Sequence, residues 1–182
     1  MKKIVSLRAW GLLLAGFIIT GCSFNIPKYS ASAQNVKSME SLKKKINVGK
    51  FTSAKPAESS ITCRAAGNVG TPDNSPFDQF IRQAFISELK LADKFDANSP
   101  ITISGHLENI DFNSNLGTAN WVMRLKASSS NTQTVIVNTK HEFDGSFIAN
   151  QACADVASAF IPAVQKLNTN IVNHPSFYKL LK

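Results

Sequence analysis

Three histidines, three cysteines and 12 acidic residues are what this chain could use for chemistry. Hydrolysis or group transfer needs a nucleophile beside a base, a pair of carboxyls across a cleft, or a metal held by clustered ligands. The chain carries no Gly-x-Ser-x-Gly elbow, no His-Glu-x-x-His and no glycine loop that would cradle a phosphate. His106 and Glu108 share one face of an expected strand. His141 falls in the inward phase near a strand end. His174 closes an expected helix, where a donor suits the free carbonyls. Asp111 and Asp144 have no acid partner that would complete a glycosidase pair. These residues predict no enzyme, no metal site and no cofactor.

The cysteines carry the clearest chemistry. Met1-Lys2-Lys3 and Arg8 form a basic start, and Ala9 to Thr20 is almost wholly apolar. A basic region followed by an apolar run of this length is an export signal. The run is too short for a comfortable membrane-spanning helix, which takes about 20 residues. It ends in Ile19-Thr20-Gly21-Cys22, which resembles the bacterial lipobox: a branched apolar residue, two small residues, then cysteine. The resemblance implies that residues 1–21 are removed and that Cys22 is lipidated and becomes the first residue. Stable anchoring needs more than one acyl chain, because each buried methylene contributes about 0.8 kcal/mol. Ser23, rather than Asp, after the cysteine implies the outer membrane under the enterobacterial sorting rule. The expected location is the periplasmic side of that membrane.

Export puts the remaining thiols in an oxidising compartment, where two cysteines read as a disulfide. Ile61, Cys63 and Ala65 alternate as on one strand face, and Cys153 shares a helical face with Val156, Phe160 and Leu167. Both thiols therefore point to a core, and a Cys63–Cys153 bond is expected. The formal charge of +8 falls to about +5 once Lys2, Lys3 and Arg8 are removed. Lys43-Lys44-Lys45 supplies three of those charges, either as part of a solvated linker or against anionic head groups. No basic surface with interleaved exposed aromatics emerges, so nucleic acid is not an expected partner.

The expected organisation is a signal (1–21), a lipidated tether (22–44) and one α+β domain (45–182). Ile46, Val48 and, out of phase, Phe51 suggest a first strand, and 60–66 a second. Turn residues fill 67–74. Ser75 as N-cap, Pro76 at the first position and Asp78 as the capping acid then start a helix. Its stripe is Phe77, Phe80, Ile81, Ala84, Phe85, Leu89 and Ala92. Arg82, Gln83, Glu88 and Lys90 are assigned to its outer face. Period-2 alternation predicts a three-strand meander over 101–113, 119–128 and 133–147, with a bulge near Glu108-Asn109. A terminal helix spans 150–172, kinked or divided by Pro162. The fold class is thus α+β: an antiparallel sheet, from the meander and one or two N-terminal strands, with two main helices on one face. The other face stays wet. His106, Arg124, Lys126, Lys140 and Glu142 are its candidate partner-binding residues.

Further landmarks are ITCRAAG, FDQFIRQAFISELKLADKFD, SPITISGHLENIDFNS, ANWVMRL, FDGSF, an AC opening the last helix, and HPSF. This run resembles a family of uncharacterised proteobacterial lipoproteins. Its organisation is similar to YajG-like lipoproteins. It is more distantly similar to the auxiliary lipoproteins of lipid-transporting ABC systems and to lipoprotein activators of peptidoglycan synthases. The resemblance implies a non-enzymatic accessory or binding module of the cell envelope, with an envelope protein or polymer as partner. The alternative is an auxiliary component of an envelope lipid transport system that handles lipid, with an apolar groove between the kinked terminal helix and the sheet.

Overall fold

A computed structural model describes residues 23–182. Its elements are β1 (Ser23–Asn25), α1 (Ala33–Glu40), β2 (Asn47–Ser53), β3 (Ser60–Cys63), β4 (Gly67–Gly70), α2 (Phe77–Leu91), β5 (Thr102–Asn113), β6 (Gly117–Ser129), β7 (Thr134–Gly145), α3 (Ala149–Val172) and α4 (Phe177–Leu180). The fold is α+β, with one four-stranded sheet in the order β2-β5-β6-β7 and one three-stranded sheet in the order β1-β4-β3. Signal residues 1–21 and Cys22 lie outside the described residues.

The meander forms as the alternation predicts. Antiparallel pairing runs from Ile103↔Ser129 to Asn113↔Asn120, and from Gly117↔Gly145 to Ser128↔Thr134. The register slips between Leu107 and Asn109, so Ile110 turns inward after the bulge. Ile103, Leu107, Trp121, Met123, Leu125, Val135 and Val137 are buried beneath the helices. The Trp121 indole donates to the Val156 carbonyl at 2.8 Å and packs edge-on against Phe77, Phe112 and Phe160. Its one polar atom is therefore satisfied inside the core. The last strand stops at Gly145, short of the expected 147, and Phe147 is 81% exposed beyond it.

The N-terminal strands depart from expectation. β2 joins the meander as an edge strand, parallel to β5, with an irregularity between Val48 and Phe51. Phe51 then lies flat on Gly105, where a Cβ would sit 2.8 Å from its ring. Only glycine permits that approach. The expected second strand enters the other sheet. β3 turns back through Arg64-Ala65-Ala66 and pairs with β4, formed by residues assigned to a turn.

The helices keep their expected positions. α2 opens one residue late, with Pro76 as its cap residue and no side-chain cap from Ser75. α3 runs unbroken through Pro162, which faces solvent, so it is not divided. α3 contacts both sheets, and the Cys63–Cys153 disulfide joins its first turn to β3.

The largest correction concerns residues 22–44. Over its described part, this segment is not a free tether. β1 pairs in parallel with β4, α1 packs on α2 and α3, and Ile26, Asn35 and Met39 are buried. Ser32 caps α1 by accepting from the Asn35 amide. The lysine run is also tied down: Lys44 donates to the Leu181 carbonyl, and Lys45 pairs with Asp93 at 2.7 Å.

Candidate functional site

The sheet brings all five candidate binding residues to one face. Side chains directly opposed across a ladder point the same way. His106 opposes Lys126, Lys126 opposes Ile136, Arg124 opposes Asn138, Lys140 opposes Val122, and Glu142 opposes Asn120. The helices cover the inward face, and Arg124, Lys126, Lys140, Glu142, Asn138 and Ile136 are exposed on the outer one.

Most of the charge on this face is paired. Arg124 Nε donates to Glu108 Oε2 at 2.6 Å, and its Nη1 donates to Asn138 Oδ1 at 2.8 Å. The bulge that aims Glu108 toward Arg124 thus has a consequence on the surface. Lys140 and Glu142, two residues apart on β7, pair at 2.6 Å, and that ammonium holds the Glu142 carboxyl below the usual carboxylate range. Lys126 has no ion-pair partner among the described residues. His106 Nδ1 lies 2.8 Å from the Thr52 hydroxyl on β2. The result is a mixed-sign, hydrogen-bonding surface with an apolar residue, Ile136, at 43% exposure among the polar ones. It can recognise a polar partner surface by exchange of these pairs.

The other histidines stand apart from it. His141 is half-buried, and burial, with Lys166 nearby, pushes its pKa down. His174 follows α3 and accepts from the Ser176 amide. Among the described residues, no group of three or more His, Cys, Asp or Glu is placed to hold a metal ion.

One polar cluster escaped the pattern reading. Glu88, assigned to the outer face of α2, is fully buried. Its carboxyl accepts from the Tyr29 hydroxyl at 2.6 Å, the Ser32 amide at 3.0 Å, the Asn35 side chain at 3.1 Å and Asn168 Nδ2 at 2.8 Å. Four donors from the N-terminal arm and α3 thus converge on one side chain of α2. Burial, and then Glu88 itself, push the Tyr29 hydroxyl far above its ordinary pKa, so it stays a donor. The spacing carried the signal: position 88 follows Ile81 by seven and Ala84 by four, on the apolar stripe.

The Cys63–Cys153 pair forms the expected disulfide, with Cα atoms 5.9 Å apart. Closing a loop of that separation, 90 residues, stabilises by about 4–5 kcal/mol in the chain-entropy account.

No protein-family model matches the chain, and no curated protein matches it. A solved structure shares the fold. It is protein XCC0632 from Xanthomonas campestris, of the family DUF330, with a TM-score of 0.57 and 11% identity. The match covers 88% of this chain and 95% of the other. At that identity the likeness concerns the fold alone.

Proposed function

We propose that this chain is a non-enzymatic accessory module of the bacterial cell envelope, lipid-anchored through Cys22 at the outer membrane and facing the periplasm. The wet sheet face is its binding surface for an envelope protein or polymer. The observation that carries this reading is the outer face of the four-stranded sheet. It brings His106, Arg124, Lys126, Lys140 and Glu142 together, and among the described residues these side chains lie on the side away from α2 and α3. The Ile19-Thr20-Gly21-Cys22 motif supports the anchor, and the disulfide fits an oxidising compartment. In-cell crosslinking of wild type against the double variant Arg124→Glu, Lys126→Glu tests the face. Loss of the captured partner, with the fold intact by circular dichroism, is the expected result. Unchanged capture removes this face from the account.

A second reading has an observation of its own. An apolar groove of about 500 Å³ lies where α1 ends against α4. Leu42, Val172, Phe177, Tyr178 and Leu181 line it, with Lys43, Lys44 and Lys182 at its edge. Apolar walls with cationic edges suit an anionic amphiphile, as an auxiliary component of a lipid transport system would need. Mass spectrometry of the purified protein tests this: co-purified lipid, reduced by Leu181→Asp, is expected. No lipid, and no thermal stabilisation by added phospholipid, would sink the reading.

A further inference from the structure

We infer that the end of the molecule built from the 64–66 turn, the β5–β6 turn and the segment after β7 seats in the membrane surface as an apolar tip. The inference rests on the lipid anchor at Cys22 proposed above and specifies how the domain sits once anchored.

The first observation is where the chain enters. Ser23 opens β1 and pairs in parallel with Asn68, one residue from Gly67, which pairs with Cys63. Cys22 immediately precedes Ser23. The described chain therefore enters the domain beside the 64–66 turn at the residue that follows Cys22.

The second observation is what surrounds that point. Leu116 is 66% exposed, Phe147 81% and Ile148 67%. These are three of the six large apolar side chains that stand out into solvent among the described residues. Arg64 binds their loops together: it donates to the Ser114, Ser146 and Phe147 carbonyls and to the Ser114 hydroxyl. Gly145 lets the loops close, because a Cβ there would meet the Asn115 carbonyl at 1.9 Å. The tip is thus fixed before any contact. Exposed Leu, Ile and Phe around a guanidinium match an interfacial membrane contact, where apolar groups enter the acyl boundary and the cation stays at head-group level.

The third observation is direction. The strands of the meander run away from this tip to the Ser129–Thr134 turn, and β6 alone spans about 40 Å at roughly 3.4 Å per residue. Lys44, Lys45 and the C-terminus sit with Ser130 and Asn131 at that far end. A tip-down domain therefore holds the lysine run away from the head groups, and it turns the wet sheet face sideways to the membrane.

The test uses full-length protein exported by its own signal, purified from membranes and reconstituted in phosphatidylethanolamine–phosphatidylglycerol vesicles with brominated acyl chains. Phe147→Trp places a fluorophore at the tip, and Leu91→Trp, at the end of α2 beside the Lys45–Asp93 pair, places one at the far end. Both positions are exposed, so neither change disturbs the core, and the buried Trp121 is common to both variants. Metabolic labelling with an alkyne fatty acid reads acylation of Cys22 in the same preparations. The expected result is acylated protein whose tip tryptophan is quenched several-fold more strongly than the far-end one, with blue-shifted emission. Acylated protein with equal or no quenching at the two sites overturns the tip and leaves the anchor standing. Self-association through the tip in place of quenching does the same. Protein without acyl label at Cys22 overturns both.

Discussion

The outer sheet face and the buried Glu88 cluster use similar residue types to opposite ends. On the sheet, Arg124 meets Glu108 and Lys140 meets Glu142 in water. Such pairs contribute little to stability, because solvent screens them and long side chains must be held still. In the cluster, Glu88 meets Tyr29, Ser32, Asn35 and Asn168 out of water. There the carboxyl depends on its donors, because it is fully buried and solvent does not reach it. The contrast separates the two roles. The exposed face can exchange its partners and is suited to binding. The buried cluster cannot, and it fastens the N-terminal arm to the domain. Under the proposed anchoring, a pull on Cys22 reaches β1 and α1 first, and the cluster resists it.

Breaking the interior fastenings should produce the largest effects. The double variant Cys63→Ala, Cys153→Ala should lose about 4 kcal/mol, measured as a lower urea midpoint, since the unfolded chain regains the entropy of the closed loop. Glu88→Ala should lose about 3 kcal/mol by orphaning several buried donors. Its effect should be local as well as global: amide exchange in α1 should rise far more than in β5–β7. If α1 stays protected in Glu88→Ala, the cluster is not the fastening.

Tyr29 sharpens the comparison through pH. Its hydroxyl sits above the ordinary 10.0 chiefly through burial, then through the hydrogen bond to Glu88 and that carboxyl's charge. The folded protein therefore holds this proton more tightly than the unfolded chain does. The stability it adds is complete below about pH 10 and falls as pH rises beyond it, by at most about 1.4 kcal/mol per unit, less for its partial exposure. Tyr29→Phe should lack that alkaline decline, so the stability gap between variant and wild type should narrow above about pH 10. A constant gap would contradict the assignment. The smallest effect belongs to the surface: Glu108→Ala should change stability by less than about 1 kcal/mol, and by less still in high salt.

Much of the fold was legible because burial on one side writes itself into periodicity. The meander, its bulge at 108–109, both main helices and the pairing of Cys63 with Cys153 all follow from which residues point inward. The N-terminal half was harder to read for physical reasons. Parallel pairing of β2 with β5 leaves no local turn signal. The arm over 23–44 has few apolar residues, because polar contacts to side chains more than 50 positions away secure it. Glu88 read as a surface residue by type, although its helical position lay on the buried stripe. On the candidate site, alternation placed all five residues on one face, but it could not show that Arg124, Lys140 and Glu142 already have partners.

We propose that Cys22 anchors a domain whose described fold begins at the next residue. Intact-mass and peptide analysis of protein extracted from the membrane fraction tests it most directly. The account predicts an N-terminal peptide beginning at Cys22 and carrying acyl chains, with residues 1–21 gone. A peptide containing an unmodified Cys22 thiol, or an N-terminus at any other residue, would contradict it.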